Sequence, residues 1–191
     1  VDSLADPSPS VRLTAARSCS VWRDPNAVGR LQILVCNDEP QIRREAATAL
    51  GRAGAKGDSV RSLLVAVKAN TGTDPYLDHS LIYALIEIDD WTVTCRFLED
   101  ESPHVRRAAL IACVEMESSE LRAEQLTPHL ASKEPALRAE ALRLATTRPE
   151  WGGSLVGYLK TSLEAEAVSP ALADALVEFS NDAKVQALLA D

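Results

Sequence analysis

Few side chains in this sequence can do chemistry, and they do not converge. Its three histidines, His79, His104 and His129, are scattered. None has a second His or Cys at the spacing that puts two metal ligands on one helical turn, which argues against a metal site. Asp78-His79-Ser80 carries the residue types of a nucleophilic triad. Consecutive residues on a helix, however, project about 100° apart and cannot pass a proton along. The stretch Gly51-Arg52-Ala53-Gly54-Ala55-Lys56-Gly57-Asp58-Ser59 has the glycines of a phosphate cradle without its Gly-Lys-Ser/Thr ending. It reads instead as a helix stop and an inter-helix turn. The four cysteines, Cys19, Cys36, Cys95 and Cys113, include no C-x-x-C pair, so ribbon-type zinc, thioredoxin-like and haem-attachment chemistry drop out. The acidic groups Asp89-Asp90 and Glu99-Asp100-Glu101 precede helix starts, where negative charge favours the helix dipole without any acid–base role. No catalytic residue, cofactor site or metal site is expected.

One set of polar residues is regularly spaced. Arg12, Arg43, Arg106 and Arg138 each stand three residues after a proline and directly after an aliphatic residue. A row of guanidinium groups invites an anion-binding reading, but an identical phase in four of the six repeats suits pairing between repeats better.

The elements that carry this row form a repeat. Pro9, Pro40, Pro75, Pro103, Pro135 and Pro170 recur at intervals of about 28–35 residues, inside the range of helical solenoids. The second residue after each proline is aliphatic: Val11, Ile42, Leu77, Val105, Leu137 and Leu172. The sixth is small or aliphatic: Ala15, Ala46, Leu81, Ala109, Ala141 and Leu176. These spacings draw one apolar stripe on a helix. Proline fits the first helical turn, where its missing N–H leaves nothing unsatisfied, and a Ser, Asp or Glu before it can cap the turn. Second apolar stretches follow at Val28–Val35, Val60–Val67, Trp91–Leu98 and Leu155–Leu163, so each repeat reads as an antiparallel hairpin that must stack on its neighbours. First helices are predicted to begin near Ser10, Pro40, Pro75, Pro103, Pro135 and Ser169.

The pattern D-x-x-P-x-V-R-x-x-A resembles HEAT repeats of the PBS-lyase-like class. Asp6/Arg12 and Asp100/Arg106 match it fully, while Arg43 and Arg138 have Asn37 and Ser132 in the Asp position. The resemblance implies an all-α, right-handed α-α superhelix of about six helix hairpins, in which Asp and Arg form a ladder between repeats. It is specific for the fold and nearly silent on function, since such repeats serve many unrelated proteins; with no catalytic or cofactor constellation in the residues, a protein-binding scaffold module is expected. A narrower likeness lies in residues 74–88 and in Arg148-Pro149-Glu150-Trp151-Gly152-Gly153. These resemble the HEAT segment of bacterial multidomain proteins that carry a dehydrogenase-like propeller and a cytochrome c domain. On that likeness the segment is a spacer or docking platform of an exported, periplasmic redox protein.

Composition agrees with a binding module. Hydrophobic residues make up 46% and aromatics 4%, a balance that suits close helix packing rather than a β-sandwich. Net charge is −8 with no Lys/Arg run, which argues against nucleic acid and anionic membranes as partners. No apolar run approaches the roughly 20 residues of a membrane span. The chain opens Val1-Asp2-Ser3 and its only methionine is Met116, so residues 1–191 read as one domain cut from a longer protein. Such a piece should expose apolar faces at its ends, including Val185, Leu188 and Leu189 on the last helix. Of the eight aromatics, Tyr76, Tyr83, Trp91 and Phe97 fall in the third repeat. Tyr76 and Tyr83 occupy positions that are small or polar in most other repeats, and His79 joins them at i, i+3, i+7 spacing. The Tyr76–His79–Tyr83 stripe is the candidate interface.

Overall fold

Proline sits at the first position of every first helix. In the computed structural model, which describes residues 1–164 and 169–190, these helices are α1 (Pro9–Trp22), α3 (Pro40–Ala53), α5 (Pro75–Ile88), α7 (Pro103–Glu115), α9 (Pro135–Thr146) and α11 (Pro170–Glu178). Between them run α2 (Val28–Asn37), α4 (Asp58–Asn70), the short α6 (Trp91–Thr94), α8 (Ala123–Leu130), α10 (Gly152–Leu163) and α12 (Ala183–Ala190). Among the described residues there is no strand. Asp74 and Ser169 cap α5 and α11 with their side chains, while Ser8, Glu39, Ser102 and Glu134 do not cap theirs. In the third repeat the expected second helix is one turn of α6 continued as a tight 3-10 turn over Cys95–Glu99.

The chain divides into two compact units, Val1–Glu120 and Leu121–Asp191. In the first unit α1, α3, α5 and α7 stack side by side. Helix α2 packs on α3 and α4, and α4 packs on α5 and α7. The apolar stripe goes inward: Ile42, Ala46 and Leu50 on α3 meet Leu77, Leu81 and Leu85 on α5 in one core with Leu31, Leu63 and Leu64 of the second helices. In the second unit α8 packs on α9 and α10, α9 on α11, and α10 on α11 and α12. Its interior holds Leu126, Leu137, Leu144, Leu159, Phe179 and Val185. Val185 is thus buried, not part of an exposed end, because it turns toward α10; Leu189 on the same helix is exposed.

The first helices approach one another closely because the facing positions are small. Ala49, Ala84 and Ala112 fill equivalent slots on α3, α5 and α7 and are fully buried. At Gly51 a methyl group would lie 3.0 Å from the Ala84 Cα, closer than packed atoms stand. Gly51 therefore lies inside α3 as a packing residue, and the helix is stopped by Gly54 in the left-handed conformation (φ 63°). The same slot fourteen residues after the proline is left-handed at Arg23 and Asp89, where no glycine stands.

Two glycine substitutions separate packing from helix propensity. Gly51→Leu forces α3 away from α5 and should lower the stability to chemical denaturation by roughly 1–3 kcal/mol. Gly157→Ala, mid-helix in α10 with open space around it, should raise stability by about 0.5–1 kcal/mol.

Candidate functional site

Helix α5 is built to hold its surface rigidly. Its Asp74 carboxylate accepts the backbone amides of Tyr76 (3.0 Å) and Leu77 (3.1 Å), fixing the first turn. Leu77, Leu81, Ala84, Leu85 and Ile88 anchor the inner face. The opposite face carries Tyr76 at 76% exposure, Tyr83 at 52%, and His79 between them, also exposed. The His79 and Tyr83 rings stack with centroids 6.3 Å apart and planes 20° from parallel. Trp91 and Phe97, the other aromatics of this repeat, are half-buried against the core. Two tyrosines and an imidazole on one capped helix offer apolar area with polar tips, at little cost in side-chain freedom.

The arginine row serves the backbone. The Arg12 Nη1 donates to the carbonyls of Asp6 (2.8 Å) and Pro7 (3.1 Å). Arg106 Nη1 donates in the same way to Asp100 (2.6 Å) and Glu101 (3.1 Å), and Arg138 Nη1 to Ser132 (2.9 Å). Arg43 spans further, from the Val35 carbonyl (2.9 Å) to the Ala66 carbonyl (3.2 Å). The carboxylates of Asp6 and Asp100 accept the amides of Ser8 and Ser102, each at 2.8 Å, forming tight turns ahead of the prolines. The pairing implied for Asp and Arg is therefore made to the Asp carbonyl. The bond between repeats runs from Arg12 to Asp38 instead, bidentate at 2.7 and 2.8 Å. That guanidinium holds the Asp38 carboxyl below the usual carboxylate range. An exposed Arg17–Glu45 link (3.0 Å) and a partly buried Arg44–Asp74 link (3.2 Å) add to it, and Lys68 pairs with Glu101.

Where α5 would carry the row's arginine it carries Asp78, and the interaction is inverted. Asp78 is buried and accepts from Asn70 Nδ2 (2.7 Å), with His104 Nε2 at 3.0 Å from α7. Burial pushes the Asp78 carboxyl up, but the bonds from His104 and Asn70 outweigh it and hold the group below its ordinary range. Its sequence neighbour His79 faces solvent, and Ser80 Oγ donates to the Tyr76 carbonyl, so Asp78-His79-Ser80 is no relay. This Asn–Asp–His cluster escapes a reading of the sequence, since its partners come from three different helices. The adjacent acids Asp89 and Asp90 also part company. Asp89 accepts from Ser118, whereas Asp90 accepts the Gly57 amide and the Thr92 hydroxyl, each at 2.8 Å. All four thiols are free, and burial pushes each of them up, Cys113 furthest. Among the described residues no three His, Cys, Asp or Glu stand together as a metal site, and no helix is long and apolar enough to cross a membrane.

Helix hairpins opened by proline, stacked on small residues and tied by arginine to carbonyls, have a known counterpart. Residues 1–86 match the family model of HEAT repeats. The chain also resembles the archaeal HEAT-like repeats protein from Thermococcus onnurineus NA1, at 10% identity and a TM-score of 0.55, with 98% of this chain and 86% of that one covered. The fold is a HEAT-like helix-hairpin solenoid. A crystal structure of an engineered protein aligns over 98% of this chain and 95% of its own, at 17% identity and a TM-score of 0.48. No curated protein matches the chain. The family-model match and the archaeal likeness agree on a HEAT-like fold.

Two substitutions probe the polar row. Arg106→Ala leaves the Asp100 carbonyl without its charged donor and should cost roughly 1–3 kcal/mol in a denaturant titration. Asp78 titrates lower in the folded chain than in the unfolded one. Its contribution is therefore complete above about pH 5 and drains away as pH falls below about 4. Asp78→Asn should be less stable at neutral pH and lose less stability on acidification than the wild type.

Proposed function

We propose that this chain is a protein-interaction module without catalytic activity of its own, and that a partner protein docks on the Tyr76–His79–Tyr83 face of α5. The observation carrying this reading is the exposure of both tyrosines on a helix whose backbone is capped and whose inner face is locked in the core. A rigid aromatic row loses little entropy on binding and supplies the kind of anchor that dominates interface energetics. The HEAT-like fold supports it, since stacked hairpins present exposed helix faces side by side.

A narrower reading makes the partner a neighbouring domain of an exported redox protein. It is supported by the likeness in residues 74–88 and 148–153; in the latter the Arg148 guanidinium lies 5.8 Å from the Trp151 ring. A C-x-x-C-H haem motif downstream in the parent gene would favour this reading, and a parent free of propeller and haem domains would remove it.

The docking face is tested by titrating the adjoining domain of the parent protein, or a partner that wild type captures, against wild type and Tyr76→Ala/Tyr83→Ala. The double variant should lose about 2 kcal/mol or more of binding with its thermal melting unchanged. Unchanged binding, or a variant that no longer folds, would count against the stripe as an interface.

A further inference from the structure

Four side chains on the outer face of α5, Tyr76, His79, Ser80 and Tyr83, stand at i, i+3, i+4 and i+7. On an α-helix such a set surrounds one hollow, the unit that receives a single knob side chain in coiled-coil packing. Here the hollow has a high rim and a low floor. Tyr76 and Tyr83 are exposed at its two ends, and His79, also exposed, stacks on Tyr83 with ring centroids 6.3 Å apart. Ser80 is small and half-buried, and its hydroxyl is turned back onto the Tyr76 carbonyl (2.9 Å). On α3 the same positions include Arg44 and Glu45, both committed to ion pairs with neighbouring repeats.

The pitch of the hollow selects what enters it. Tyr76 and Tyr83 stand about 10.5 Å apart along the axis, seven residues at about 1.5 Å each. A second α-helix laid lengthwise repeats its own face at that interval. One face of a strand repeats at roughly 6.7 Å and a polyproline turn at about 9 Å, so neither keeps step. A second copy of α5 brings no aliphatic knob, because beyond Pro75 its exposed side chains are Tyr76, His79, Tyr83 and Glu87. Charge adds direction. Glu87, one turn past Tyr83, is exposed, as is Glu115 in the equivalent slot on α7, and neither forms an ion pair among the described residues. Arg52 fills that slot on α3 and donates to Ser20 Oγ (2.9 Å). The Tyr83 end of the face therefore offers acids to a base.

We infer, on the footing that a protein docks on this face, that its docking segment is an amphipathic α-helix laid lengthwise on α5. Its Leu or Ile knob enters the hollow of Tyr76, His79, Ser80 and Tyr83, and a Lys or Arg about two turns along meets Glu87. The two tyrosine rings shield the knob from water, with their hydroxyls left at the rim.

The probe is a capped synthetic helix of about 20 residues with Leu at heptad positions a and d and Lys on the flanks, followed by amide NMR titration. Its control carries Pro in place of one central residue, which breaks the helix. The helical peptide should shift the amides of residues 76–83 and bind roughly tenfold more tightly than the control. Ser80→Gln, which fills the hollow, should weaken binding by roughly tenfold with thermal melting unchanged. Glu87→Lys should weaken the Lys peptide and tighten its counterpart with Glu for Lys, each by more than Asp2→Lys at the far end of the unit does. No binding, binding elsewhere, or equal binding of the Pro control overturns the helix. If the parent's adjoining domain needs Tyr76 and Tyr83 but ignores Ser80→Gln and Glu87→Lys, the docking face stands and the helix falls. If that domain ignores the tyrosines as well, both fall.

Discussion

The near-contact of α3 and α5 backbones at Gly51 and Ala84 constrains most of what surrounds it. Helices this close cannot separate their side chains by adding bulk, so facing slots must be Ala or Gly, as at Ala49, Ala84 and Ala112. Larger side chains are displaced to the flank that meets the second helices, where Leu50, Leu63, Leu64 and Leu85 close the core. Small residues gain little from burial individually. The stack is held by repetition of the same contact, which is why one bulky intruder disturbs more than its own site.

Close stacking brings the tail of each second helix near the next first helix, and the carbonyls closing that tail need donors. A guanidinium supplies several in one plane, and Arg12, Arg43, Arg106 and Arg138 use them on main-chain oxygens. This explains how the position filled by Asp6 and Asp100 can be Ser132 elsewhere: the arginine needs a carbonyl, which every residue has. The side chain there has a separate task, holding the amide two residues on, and Ser132 Oγ performs it for Glu134 as the carboxylates do for Ser8 and Ser102.

How much of this is legible in the sequence depends on whether a feature is local. Proline at the first turn marks the six first helices because its fixed φ and missing N–H tie it to that position. The aliphatic residues two and six places on then identify the buried face. Nothing local distinguishes an Asp carboxylate from an Asp carbonyl as the arginine's acceptor, so the spacing finds the slot and misses the atom. Asp78 is harder still: its partners Asn70 and His104 are brought in by the stacking of α4, α5 and α7. The short α8 does set Ala123, Leu126 and Leu130 on one buried face, but it has only eight residues and Pro128 among them, and no proline opens it. The candidate stripe on α5 was readable because the repeats supply their own comparison, with Tyr76 and Tyr83 standing where most others place small or polar residues.

The third repeat links these observations. With Asp78 in the arginine position, α5 draws His104 inward, although the same slot in other repeats holds the outward-facing Ser10, Gln41, Tyr76 and Ala136. A single exchange in the buried row thus changes which side chains the neighbouring helix can show to solvent. Surface slots contribute little to the core and are free to vary, but the inner row decides which of them remain outside. On α5 the inner row is satisfied by Asn70 and His104, and Asp74 closes the first turn, so Tyr76, His79 and Tyr83 have no structural duty toward the core. Large aromatic rings held in water by a helix that does not need them there are the feature the fold itself leaves unexplained, and the docking proposed for this face rests on it.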